Sequence, residues 1–83
     1  MNKKEIIFIT NGNENIGMGH ISRCTSIASK LKKYYDVRFF SIYSNKTLDI
    51  FEKNNIQYVF FDSIDKLIYG IQKQANKIII ITD

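Results

Sequence analysis

Proline and tryptophan are absent from this chain, cysteine and histidine occur once each, and glycine four times in 83 residues. Without proline there is no proline-marked linker, and without repeats or low-complexity segments nothing divides residues 1–83, which read as a single domain. A lone cysteine, Cys24, excludes an intrachain disulfide and any cysteine-cluster metal site, and no metal is expected. It falls on the apolar face of a predicted helix and reads as a small buried hydrophobe. No apolar run approaches the ~20 residues of a membrane span. Lys3-Lys4 is followed by only a short apolar stretch with no small-residue cleavage site, so a secretory signal is not expected and a cytoplasmic location is the default.

What is present is ordinary globular material. Hydrophobic residues make up 45% and charged residues 24%, enough for a core and too apolar for a disordered chain. A chain of this size buries only about 60–65% of its unfolded surface, so its stability margin is thin. Twelve Lys or Arg against eight Asp or Glu give a net charge of +4. Along the sequence the basic residues are scattered, with small clusters at Lys3-Lys4 and from Lys30 to Lys33. A nucleic-acid partner is therefore not expected. Lys30, Lys32 and Lys33 fall in the last turns of a predicted helix, where cations complement the macrodipole.

Hydrophobic periodicity predicts strands alternating with helices. Glu5 to Thr10 is an almost unbroken apolar run, as expected of a parallel strand covered on both faces. From His20 to about Tyr34, Ile21, Cys24, Ala28, Leu31 and Tyr35 recur at three- and four-residue steps and mark a helix that packs on the sheet. Val37 to Tyr43 reads as the second strand. Lys46 to Lys53 reads as a short helix with Leu48 and Phe51 inward, and Ile56 to Phe61 as the third strand. Asp62 or Ser63 then caps a helix with Ile64, Leu67, Ile68, Ile71 and Ala75 on its apolar face. Lys77 to Thr82 is a fourth strand. This order is that of an α/β, Rossmann-like parallel sheet with flanking helices, βαβαβαβ, joined by right-handed crossovers. In the usual doubly wound order the fourth strand pairs with the first on the side away from the second, so that Asp83 and the loop after the first strand flank the crevice where ligands bind. A chain that stops at this strand leaves an apolar edge uncovered, and a truncated protein is expected.

The functional signal is Gly17-Met18-Gly19-His20. It follows the first strand across a loop, Asn11 to Asn15, rich in residues that tolerate a left-handed backbone. Two glycines let the backbone approach a ligand closely, and a helix N-terminus offers unpaired N–H groups and a partial positive charge. The expected guest is a phosphate. His20 is suited to exchanging a proton near neutral pH. Gly12 and Gly17 have the spacing of a nucleotide-triphosphate loop, but Met18 and Gly19 stand where that loop needs Lys and then Ser or Thr. A dinucleotide fingerprint fails as well: Ser22 occupies the third glycine position, and Ile42, Tyr43 and Ser44 stand where the ribose-binding acid belongs. A receiver-type signalling domain, suggested by Asp62 and Thr82 at strand ends, lacks its acidic pair, since Glu14 is alone between Asn11 and Asn15.

The run from Asn15 through Ile16, Gly17, Met18, Gly19, His20, Ile21, Ser22, Arg23 and Cys24, continuing Thr25-Ser26-Ile27-Ala28, resembles the N-terminal signature of a family of sugar-nucleotide enzymes. That family includes the UDP-sugar hydrolase of the pseudaminic acid pathway and the spore-coat polysaccharide biosynthesis proteins, which resemble GT-B glycosyltransferases: two Rossmann-like domains facing a cleft. The resemblance implies half of a GT-B-type N-terminal domain, a UDP-sugar substrate, no cofactor, and a C-terminal nucleotide-binding domain that these residues do not supply. It makes His20 the catalytic residue and sets the Gly17 to Gly19 backbone near the diphosphate. Asn11, Gly12, Gly17, Met18, Gly19, Arg23 and Asp83 are the candidate substrate-binding residues. Asn11 stands where the hydrolases tend to have Asp, and Ile9 where they tend to have Arg, so hydrolysis and transfer to another acceptor are both open. The alternative is a noncatalytic nucleotide- or phosphate-binding module in which His20 only donates a hydrogen bond.

Overall fold

The computed structural model describes residues 4–10, 18–74 and 76–82. Its elements follow in the order β1 (Glu5–Thr10), α1 (Met18–Leu31), β2 (Asp36–Ile42), α2 (Asn45–Lys53), β3 (Gln57–Phe61), α3 (Ile64–Gln72) and β4 (Ile78–Ile81). All strand pairs are parallel, and the sheet order is β3-β2-β1-β4. The fourth strand thus lies on the side of β1 away from β2, and the chain has the α/β, Rossmann-like architecture expected of it.

Side-chain alternation along β1 separates two cores. Ile6 and Phe8 point one way and pack with Val37 and Phe39 of β2, Ile21, Cys24 and Ala28 of α1, Phe51 of α2, and Ile56. Ile7 and Ile9 point the other way and pack with Phe40 and with Leu67 of α3. Helices α1 and α2 therefore cover one face of the sheet and α3 the other, which is why β1 is apolar at successive positions rather than alternate ones. The larger core is aromatic. Phe8 stacks on Phe39 with ring centroids 4.9 Å apart, and Phe39 meets Phe51 at 4.8 Å.

Local signals set the element ends. Ser44 caps α2, its Oγ accepting the Thr47 N–H at 3.2 Å, and Ser63, rather than Asp62, caps α3 by accepting the Lys66 N–H. Asn54 closes α2, and Asn55 takes the left-handed conformation (φ 55°) that turns the chain into β3. Asn76 (φ 62°) does the same ahead of β4. The first helix starts two residues earlier than its apolar spacing indicates and ends at Leu31, after which Tyr34 and Tyr35 both donate to the Leu31 carbonyl.

The apolar face of α3 differs from expectation. Leu67 is buried, but Ile64 is 50% and Ile68 46% exposed, and Ala75 lies outside the described residues. The cause is how α3 sits. It packs on β2 and β3, with Leu67 over Phe40 and Gly70 so close to Phe61 that a Cβ there would come within 2.8 Å of the ring. Ile64 and Ile68 join neither of the two cores. In α2, similarly, Phe51 and Thr47 are buried while Leu48 is half-buried.

Candidate functional site

In a parallel sheet, each returning helix begins at the edge where the strands end, so the N-termini of α1, α2 and α3 gather at the C-terminal edge. The order β2-β1-β4 makes the gap between β1 and β4 the switch point, where the connections leave β1 in opposite directions. Thr82 closes the floor of that gap: its N–H and its Oγ1 both donate to the Ile9 carbonyl, at 3.0 and 2.9 Å. Beside it, Thr10 at the end of β1 faces Ser41 of β2 across the ladder, and both are buried. The sheet thus changes from aliphatic and aromatic to hydroxyl-bearing at its C-terminal edge.

Met18, Gly19 and His20 form the first turn of α1. Their amides are among the four that no intrahelical carbonyl satisfies. No acidic residue occurs in that turn, so the dipole's positive end faces no carboxylate of its own helix. Arg23 is exposed, on the side of α1 away from the buried Ile21, Cys24 and Ala28. Asn11, Gly12, Gly17 and Asp83 lie outside the described residues. The structure therefore brings the backbone of Met18 to His20 to the C-terminal edge of the sheet and turns Arg23 to the outer surface of the same helix.

The end of β2 explains in physical terms why a dinucleotide reading fails. Ser44 is committed to its own helix, accepting from the Thr47 amide and donating to Thr47 Oγ1 at 3.1 Å, and the Tyr43 hydroxyl donates to Asn45 Oδ1. Nothing there offers a carboxylate to a ribose diol. Among the described residues no group of three or more His, Cys, Asp or Glu side chains is placed to hold a metal ion, and no helix is long and apolar enough to cross a membrane. A titration shift lies away from the crevice: burial, then the nearby Glu52 carboxylate, pushes the Tyr58 phenol above its ordinary value. A hollow of about 130 Å³ opens at the opposite edge of the sheet, lined by Lys32, Tyr35, Asp36, Val37, Asn55 and Gln57. There Lys32 Nζ donates to the Asn55 carbonyl at 2.8 Å and ties the end of α1 to the end of α2.

Ser41 escapes a reading of the sequence as a site residue, and Thr82 is visible there only as a strand-end residue of the receiver-type pattern. Each is one hydroxyl in an apolar strand, and only the pairing of β4 and β2 with β1 shows that both reach the same edge. No protein-family model matches the chain, and neither does any curated protein or any solved structure.

Proposed function

We propose that the chain is the N-terminal region of a sugar-nucleotide enzyme that cleaves or transfers the sugar of a UDP-sugar, as in the biosynthesis of surface polysaccharides or nonulosonic acids. The observation that carries the reading is the Met18-Gly19-His20 turn, which opens α1 at the C-terminal edge of a β3-β2-β1-β4 sheet. That turn combines amides that lack an intrahelical partner with the chain's one histidine, and the resemblance of Asn15 to Ala28 to the sugar-nucleotide family supports it. In this reading His20 takes a proton from water or an acceptor hydroxyl. The oxygen attacks the anomeric carbon, and the bond to the diphosphate breaks, with its electron pair leaving on UDP. In the same reading the amides at the start of α1 stabilise the charge on the departing diphosphate. The nucleotide is held by a second domain, and residues 1–83 alone are inert.

The test is steady-state kinetics with UDP release as the readout, on a protein joining these residues to such a domain. His20→Asn is expected to lower kcat by about 10²–10⁴-fold with KM nearly unchanged, as for loss of a general base. An unchanged rate at saturating substrate with weakened binding would make His20 a phosphate ligand and the chain a noncatalytic module.

A further inference from the structure

The basic excess is concentrated in one stretch of the sequence, and the fold sets most of that stretch's cations on the surface. Residues 18–35, comprising α1 and the turn that follows, carry Arg23, Lys30, Lys32 and Lys33 and no acid; elsewhere eight basic residues face eight acidic ones, so the whole net charge of +4 resides on this one segment. Lys32 is occupied with the Asn55 carbonyl. The others lie on the outer surface. Arg23, Ile27 and Lys30, at steps of four and three residues, form one stripe along α1, and the turn that follows carries the exposed Tyr34. Ile27 is 53% and Tyr34 72% exposed. The two ion pairs among the described residues, Lys66–Asp62 and Lys77–Glu5, lie on other elements.

A single exposed isoleucine needs no explanation. An isoleucine between two cations on an acid-free helix face, with an exposed tyrosine in the turn that follows, is a different object. Arg and Lys stems lie along an apolar surface while their heads reach outward, and tyrosine favours the boundary between water and hydrocarbon. We propose that the outer face of α1 docks on an anionic lipid surface, with the helix in the plane of the headgroups, Ile27 and Tyr34 inserted at their depth, and Arg23, Lys30 and Lys33 against lipid phosphates. A nucleic acid would also attract the cations, but it takes aliphatic side chains mainly as wedges between base steps or against thymine methyls, from an element seated in a groove, whereas Ile27 alternates with the cations along the exposed length of α1, the arrangement of an interfacial helix. The inference is independent of the UDP-sugar reading.

The test is sedimentation of the chain with vesicles of phosphatidylcholine alone and of phosphatidylcholine mixed with phosphatidylglycerol, alongside titration of duplex DNA. Binding is expected to the mixed vesicles only, and to weaken with salt. Arg23→Gln with Lys30→Gln should lower the partition about 25-fold, at about fivefold per basic residue. Ile27→Ser with Tyr34→Ser should lower it about tenfold. All four side chains are exposed, so the variants are expected to keep the wild-type circular dichroism. Absence of binding to the mixed vesicles at low salt overturns the proposal. So does equal binding to neutral vesicles. Binding of DNA as tight as that of vesicles, with no effect of the Ile27 and Tyr34 changes, identifies a general polyanion patch and overturns it as well.

Discussion

Single residues in this chain have very unequal weights, and burial decides which matter. Phe51 is fully buried, with its ring against Phe39, Tyr58 and Phe60. Truncating such a ring costs about 3–5 kcal/mol in lost transfer energy and cavity formation. A domain of this size has a total stability of about 4–12 kcal/mol, so Phe51→Ala is expected to remove much of it. Ile64 carries an equally apolar label, yet it is half exposed. Ile64→Ala forfeits only part of a transfer term and gains about 0.4 kcal/mol of helix propensity, so a change under about 1 kcal/mol is expected. Urea unfolding of the two variants checks the contrast; equal losses would mean that α3 buries its flank in solution. Periodicity ranks Ile64 and Phe51 alike, because it reports which side of a helix is apolar and not how much sheet lies beneath it.

Among the elements, those with self-contained signals were the ones legible in the sequence. β1 is an apolar run ended by Asn11, and its bounds come out as Glu5–Thr10 from either source. The caps were half legible: Asp62 and Ser63 both suit an N-cap, and only the backbone shows that Ser63 takes the extended conformation from which Oγ meets the Lys66 amide. Thr82 was legible only as a strand-end residue of the receiver-type pattern, and its bond to Ile9 was not, since the two are separated by 73 residues. Ser44 was visible only as the wrong residue for a dinucleotide, whereas its role is to start α2. The two caps differ in a testable way. Ser44 is buried and bonded to Thr47 through both amide and hydroxyl, while Ser63 is exposed. Ser44→Ala is expected to cost about 1–2 kcal/mol and Ser63→Ala about 0.5–1 kcal/mol. Thermal melts that reverse this order would show that the Ser44 hydroxyl pair contributes nothing.

For the molecule as a whole, the distribution of exposed apolar surface sets its behaviour in solution. Ile81 is 73% and Ile78 42% exposed on β4, which among the described strands has a neighbour on one side only. Edge strands are commonly guarded by lysine, but Lys77 pairs with Glu5 of β1 instead of facing outward from the edge. The 83-residue chain is therefore expected to self-associate at concentrations where its net charge of +4 alone would keep it apart. Ile81→Lys, placing a charge on that strand, should shift sedimentation toward monomer. A wild-type chain already monodisperse as monomer would show that the edge is harmless as it stands.

The central position of β1 also governs the order of events during synthesis. This strand is made first, but its ladder with β4, and the bonds from Thr82 to Ile9, require residues at the far end of the sequence. At about 5–20 residues per second the ribosome takes roughly 4–15 s to bridge that interval. During that time Ile6 to Ile9, every one of them buried in the finished fold, has no partner on its β4 side. The nascent chain thus carries an unbroken apolar segment for several seconds without its full set of neighbours, and a chaperone that holds exposed apolar strands is expected to engage it at Ile6 to Ile9.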